Sequence, residues 1–183
     1  MRTIVSVSVV ALCLVVNGAM AGQEVAVKEA GIAFTLPDTW KTQRASMNRS
    51  RGKKNPSRPV MLGWSRAPLI DSEGRKVRPG INVLVSPAPS HRQIALASAT
   101  IMHGRGWPFK EFLTGKKDGL RLPRTLGYLT EFSPRNGLLF KAFVIHIING
   151  NRFVELILSA TKEVFPRVEG EFWSIIRSLH LTK

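Results

Sequence analysis

The 183-residue chain has one cysteine, one tyrosine and only 12 Asp+Glu against 27 Lys+Arg. A lone cysteine excludes an internal disulfide, a paired-thiol redox motif and a structural thiolate-zinc site. The shortage of acid sets a formal net charge of +15 and leaves few carboxylates from which to build acid–base or metal chemistry. Long apolar runs are missing too. The run from Ile4 to Val16 has 13 residues, short of the roughly 20 that a helix needs to cross a hydrocarbon core. Also absent are the Gly-x-Ser-x-Gly elbow, the Walker phosphate loop, the dinucleotide fingerprint and the His-Glu-x-x-His zinc motif.

The apolar run sits behind Arg2 and ahead of Ala19, Met20 and Ala21, the small-x-small pattern that a signal peptidase reads. Residues 1–21 are therefore expected to be a signal peptide, removed on export together with Cys13. The mature chain, residues 22–183, then has no cysteine and carries 26 Lys+Arg against 12 Asp+Glu, a net +14. It is long enough for one domain to stand on its core alone, since about 150 residues bury roughly 68 to 70% of the unfolded surface. At 44% hydrophobic and 21% charged residues, it is not a disordered composition.

Period-two patterning predicts a strand pair through Val25, Val27, Ile32, Phe34 and Leu36, with Pro37, Asp38 and Thr39 as a turn before Trp40. Lys41 to Arg58 loses all periodicity and fills with basic and turn-forming residues, which predicts a long basic loop. Val60 to Trp64 and Ile81 to Val85 read as neighbouring strands. Ser90 and Gln93 have capping-box spacing ahead of a helix over 91–103. Leu126 to Phe132, Leu138 to Ile148 and Phe153 to Ala160 read as three strands, the last two joined antiparallel through Asn149-Gly150. Val164, Phe165, Val168, Phe172, Ile175, Ile176 and Leu179 recur at helical spacing, with Pro166 in the first turn. Strands interrupted by one helix and closed by another predict an α+β domain, a mainly antiparallel sheet covered by helices.

Gly31-Ile-Ala-Phe-Thr-Leu-Pro-Asp-Thr-Trp40 resembles the opening strand and Pro-x-x-Trp turn of the PsbP-like superfamily. Phe140 to Ile148, Arg152 to Thr161 and the helix ending Phe172-Trp173-Ser174-Ile175-Ile176-Arg177-Ser178-Leu179 resemble its closing elements. The basic insertion after Trp40 departs from the superfamily's pattern. The resemblance implies a single α/β/α sandwich used as a non-catalytic accessory, as in lumenal subunits of photosynthetic complexes, Ran-binding proteins, bacterial envelope proteins and secretion chaperones. It carries no metal or cofactor residues over to this chain.

None of His91, His103, His146 and His180 has metal-ligand spacing, so no metal and no cofactor is expected. With Asn149-Gly150 as a two-residue turn, His146 faces Phe153 and lies diagonal to Glu155, and the ordinary reading puts both on the wetter face of the sheet. Glu131 and Glu155 are the one tempting carboxylate pair. Glu131, His146 and Glu155 are thus the candidate catalytic residues of the rival function, a periplasmic hydrolase with its site on the sheet face.

Charge distribution carries the leading reading. Between Lys41 and Pro79 there are 11 Lys+Arg and only Asp71 and Glu73, so this segment holds +9 of the +14. Such a concentration attracts polyanions and speeds association with acidic proteins. Arg44, Arg49, Arg51, Lys53, Lys54 and Arg58 are the candidate contact residues. The partner expected is an envelope protein or an anionic polymer or membrane surface, met by a monomeric exported accessory protein. Export and the absence of a recognisable motif argue against nucleic acid. Trp40, Trp64 and Trp107 are expected to be core residues beside solvated charges, and the adjacent Phe172 and Trp173 cannot both point straight inward.

Overall fold

Residues 140–149 and 152–161, FKAFVIHIIN and RFVELILSAT, are almost continuously apolar, as strands covered on both faces are. They form the centre of a seven-stranded antiparallel sheet in a computed structural model that describes residues 22–45, 58–89, 93–113, 119–134 and 137–182. In chain order the strands are β1 (Gly22–Val27), β2 (Ile32–Pro37), β3 (Trp40–Arg44), β4 (Arg58–Ser65), β5 (Leu69–Ile70), β6 (Lys76–Val77), β7 (Gly80–Pro87), β8 (Phe109–Leu113), β9 (Thr125–Phe132), β10 (Phe140–Asn149), β11 (Arg152–Thr161) and β12 (His180–Leu181). Helix α1 (Ile94–Arg105) lies between β7 and β8, and α2 (Phe165–Ser178) between β11 and β12. The large sheet runs β3-β4-β7-β11-β10-β9-β8, a smaller one runs β1-β2-β12, and β5 and β6 make a separate hairpin.

Side chains alternate between faces along a strand, and the two faces of β10–β11 are covered differently. Phe143, Ile145, Ile147, Val154, Leu156 and Leu158 belong to the larger core, shared with Ile32, Phe34 and Leu36 of β2 and with Val168, Phe172, Ile175 and Ile176 of α2. On the other face Val144, Ile157, Ile148 and Phe153 meet Ala97, Ile101 and Met102 of α1. The predicted C-terminal helix is present, with Pro166 in its first turn. Phe172 is fully buried, while its neighbour Trp173 packs partly buried on Phe143 with ring centroids 4.5 Å apart. Trp40 is likewise a core residue and donates its indole N–H to the Glu171 carboxylate.

Three expectations are corrected. The basic segment 41–58 is not all loop: β3 extends to Arg44 and β4 begins at Arg58, pairing at Arg44↔Met61 and Trp40↔Ser65. Arg44 and Arg58 are therefore strand residues at the two ends of the connection, whereas Arg49, Arg51, Lys53 and Lys54 lie outside the described residues. Helix α1 starts at Ile94, and Gln93, at its N-cap, makes no side-chain capping bond; Ser90 lies outside the described residues. At the other end Gly106 takes the left-handed conformation that a helix stop favours, with φ +67°.

The third correction concerns the β10–β11 turn, which is Gly150–Asn151 rather than Asn149–Gly150, with Asn149 opposite Arg152. Gly150, at φ +61°, supplies the left-handed residue that such a turn requires. Moving the turn by one residue shifts the cross-strand partner by two. The assignment of side chains to faces survives, and His146 comes directly opposite Glu155 instead of Phe153.

Phe172 touches the rings of Trp40, Phe143 and Phe165 at centroid distances of 5.9, 6.5 and 5.5 Å. Phe172→Ala is expected to cost about 3–5 kcal/mol of stability, read from urea midpoints at unchanged slope. A loss under about 1 kcal/mol would mean that α2 collapses onto the vacancy and is not held by this ring.

Candidate functional site

His146, on the α1 face of β10, is 0% exposed and Glu155 of β11 is 1% exposed, so neither is on a wet surface as the sequence reading had it. That face is closed by α1. Ser98 and Arg105, seven residues apart and so on one side of the helix, reach the two sheet residues. Ser98 Oγ lies 2.7 Å from His146 Nδ1, His146 Nε2 lies 3.3 Å from Glu155 Oε2, and Tyr128 Oη of β9 lies 3.2 Å from the same Nε2. Arg105 closes the chain with a two-pronged contact, 2.6 and 3.0 Å, to both Glu155 oxygens. Its guanidinium also sits 5.1 Å from the centre of the Trp107 ring, which stacks on Phe132 at 4.1 Å.

The protons follow from charge. Burial alone would raise the Glu155 carboxyl, but hydrogen bonds from His146 and Arg105 and the adjacent guanidinium charge outweigh it and hold the group at about 2. Glu155 is thus an ionised acceptor, which places the His146 proton on Nε2. Nδ1 is then an acceptor and the Ser98 hydroxyl donates to it. Burial lowers the His146 pKa below 6.5 against the raising effect of Glu155, and burial with the Glu155 charge raises the Tyr128 phenol.

Hydroxyl, imidazole and carboxylate in this order make the contact chain of a nucleophilic site. Ser98 is 0% exposed, however, and α1 fills the space in which an acyl group would have to sit. What the geometry does is tie α1 to the sheet. Glu131 does not join it. It pairs with Lys141 across β9–β10, on the opposite face from Glu155 and with a whole strand between them, and makes a surface ion pair with Lys162 at 3.1 Å. Among the described residues no group of three or more His, Cys, Asp or Glu is placed to hold a metal ion.

The basic segment divides between the two ends of β4. At the β3–β4 turn-off, Arg44 and Arg58 flank the connection. At the far end Arg66 donates to the Trp40 carbonyl, Arg78 to the Ser65 and Arg66 carbonyls, and Arg75 pairs with Asp71 and Glu73. The segment's two acids thus neutralise a cation of the β5–β6 hairpin.

Arg58 also lines a cleft of about 590 Å³ with Arg152, Glu29, Ser86 and Asn151. Register explains the meeting. Arg58 opposes Val85 and Arg152 opposes Pro87, all on the face that carries the β1–β2 hairpin. A smaller cavity beside it, about 180 Å³, is walled by Glu29 and Arg44.

No family model and no curated protein matches the sequence. Several solved structures are similar in shape. CyanoP, the PsbP protein of Synechocystis sp. PCC 6803, aligns over 90% of this chain and 95% of its own at 12% identity and a TM-score of 0.49. LpqN of Mycobacterium tuberculosis, involved in cell envelope biogenesis, aligns over 91% and 88% at 15% identity and 0.52. Mog1p, a Ran-binding protein of Saccharomyces cerevisiae, aligns over 90% and 97% at 11% identity and 0.54. The fold is PsbP-like. At these identities the likeness concerns the fold alone.

Sequence reasoning named His146 and Glu155 of the buried network and missed Ser98, Arg105 and Tyr128. The missed signal was the seven-residue spacing of Ser98 and Arg105 on the same side of a helix as Ala97 and Met102.

Two predictions follow from the burial of these groups. Glu155 is enclosed whereas the Arg105 side chain keeps 25% exposure, so losing the cation strands the anion and not the reverse. Arg105→Met is expected to cost about 3–5 kcal/mol, and Glu155→Gln clearly less, in denaturant unfolding; the opposite order would refute the assignment of charge. The second concerns pH. Both depressed pKa values mean that the unfolded chain binds more protons than the folded one, so stability is full above about 6.5 and falls with acidification. His146 acts first, below 6.5, and Glu155 acts between 4.5 and about 2 with a contribution on the order of 3 kcal/mol. Melting temperature against pH should fall in these two stages, and His146→Gln should remove the upper one.

Proposed function

We propose that residues 22–183 form one exported PsbP-like α/β/α sandwich domain, a monomeric, non-catalytic accessory protein that binds an acidic envelope protein or anionic polymer through its basic β3–β4 connection. The observation that carries this reading is the position of the charge. Arg44 and Arg58 stand at the mouths of a connection that adds Arg49, Arg51, Lys53 and Lys54, while the cations at the other end of β4 are engaged in holding loops. The buried Ser98–His146–Glu155–Arg105 chain supports a binding protein over a hydrolase, because its groups bond to one another and are closed off by α1. No helix among the described residues is long and apolar enough to cross a membrane, and export rests on residues 1–21 as read from the sequence.

The test is capture of envelope components on the immobilised protein, washed at low and then about tenfold higher salt, because counterion release weakens purely electrostatic contacts steeply. Replacing Arg49, Arg51, Lys53 and Lys54 by Glu is expected to abolish association with a melting temperature within a few degrees of the parent. Retained association would overturn the assignment to this connection. A protein that survives the high-salt wash at fixed stoichiometry identifies a shaped interface, and complete elution identifies a general polyanion contact.

A further inference from the structure

We propose that the cleft between Arg58 and Arg152 is a seat for one carboxylate of an acidic peptide segment, a reading that rests on the binding role assigned to the β3–β4 end. Three chain connections meet at this cleft and fix its walls. Asn149 of the β10–β11 turn donates its side-chain N–H to the Gly31 carbonyl at 3.0 Å and to that of Ala30 at 3.3 Å. Arg152 donates to the Lys28 carbonyl at 3.2 Å, and the Ala88 N–H donates to the Asn151 carbonyl at 2.8 Å. The β1–β2 turn, the β10–β11 turn and the end of β7 are therefore bonded together before any ligand arrives, which removes part of the ordering cost of binding.

Guanidinium groups suit the ligand chemistry. Each presents a planar fork of donors that matches a carboxylate or a phosphate, and here two come from different strands, β4 and β11, to one cleft. Asn151, at the turn, adds neutral hydrogen-bonding capacity. About 590 Å³ accommodates an acidic side chain with its adjoining backbone.

Glu29 decides between ligand classes. A dense polyanion such as polyphosphate would bring its next negative charge against this carboxylate. A peptide brings a backbone N–H there, which Glu29 accepts. Around the cleft Lys28, Arg44, Arg58 and Arg152 outnumber Glu29, so an acidic segment is still drawn in.

The experiment measures fluorescence anisotropy with two probes of matched charge, an N-acetylated hexaglutamate peptide and a short polyphosphate, on the purified protein, three cleft variants and the four-fold charge reversal of the β3–β4 connection. Arg58→Gln combined with Arg152→Gln is expected to weaken hexaglutamate at least tenfold. Because Arg152 also bonds the Lys28 carbonyl, Arg58→Gln alone is measured as well and is expected to weaken it severalfold, with the melting temperature of each variant read alongside. Glu29→Gln is expected to shift preference toward polyphosphate. If the arginine variants bind hexaglutamate like the parent while the four-fold charge reversal of the β3–β4 connection has lost it, the cleft assignment fails and the basic connection stands. If the charge-reversed protein also binds like the parent, the reading beneath it fails. A parent that prefers polyphosphate, with Glu29→Gln making no difference, overturns the peptide in favour of a polymer.

Discussion

Burying both faces of the β10–β11 hairpin puts its ionisable groups under pressure to find partners inside the protein, since an unpaired polar group away from water is expensive and an unpaired charge more so. Two groups on that hairpin are titratable and enclosed, His146 and Glu155. The partners come from elements distant in sequence, Ser98 and Arg105 on α1 and Tyr128 on β9. Helix α1 has a weak apolar stripe and buries only Ala97, Ser98 and Met102, so packing alone defines its seat poorly. The carboxylate–guanidinium and imidazole–hydroxyl contacts fix its rotation and its position along the sheet. A buried ion pair is weak evidence for stability but good evidence for a single arrangement, provided each charge is matched.

The same hairpin determines the other end of the molecule. Its turn is Gly150–Asn151, which frees Asn149 to bond the β1–β2 turn and sets Arg152 at the first residue of β11. A Cβ on Gly31, whose φ is +65°, would come within 2.5 Å of Asn149 Nδ2, so the close approach of the two turns depends on glycine there. With the turns locked, the guanidinium of Arg152 and that of Arg58 face a common space. One covalent feature, a two-residue turn between two apolar strands, thus positions both the buried network and the basic cleft.

Most of the fold was legible in the residues. The β1–β2 hairpin, the β4–β7 pairing, the β9–β10–β11 meander and the C-terminal helix all follow from period-two or helical spacing, and the ends of the chain carried the PsbP-like resemblance. The short strands β3, β5, β6, β8 and β12 were not legible, because five or fewer residues with polar neighbours hold their conformation through the sheet they join. The environment of His146 and Glu155 was misread for a related reason. Alternation of an apolar and a wet face is the rule for antiparallel strands, yet FKAFVIHIIN does not alternate, and that unbroken run was the sign of cover on both faces. Glu131 was grouped with Glu155 on strand proximity, whereas β10 lies between them and the pleat sends them to opposite sides.

Separating the two polar systems by face and end has a functional consequence. The α1 side uses its charges against one another, with the Glu155 carboxylate, the Arg105 guanidinium and the His146 imidazole all satisfied within hydrogen-bond distance, and so presents little field to a partner. At the β3–β4 end the cations outnumber Glu29, and the two acids of the basic segment, Asp71 and Glu73, are occupied at the opposite end of β4 by Arg75. Uncompensated charge on a surface acts over about a Debye length, near 8 Å at physiological salt, and so steers partners in without selecting among them. Selection requires groups held in place before contact. The turns bonded by Asn149 and Arg152 supply that stiffness beside the charged connection, which is why long-range attraction and short-range discrimination belong on this end of the sheet and not on the face that α1 closes.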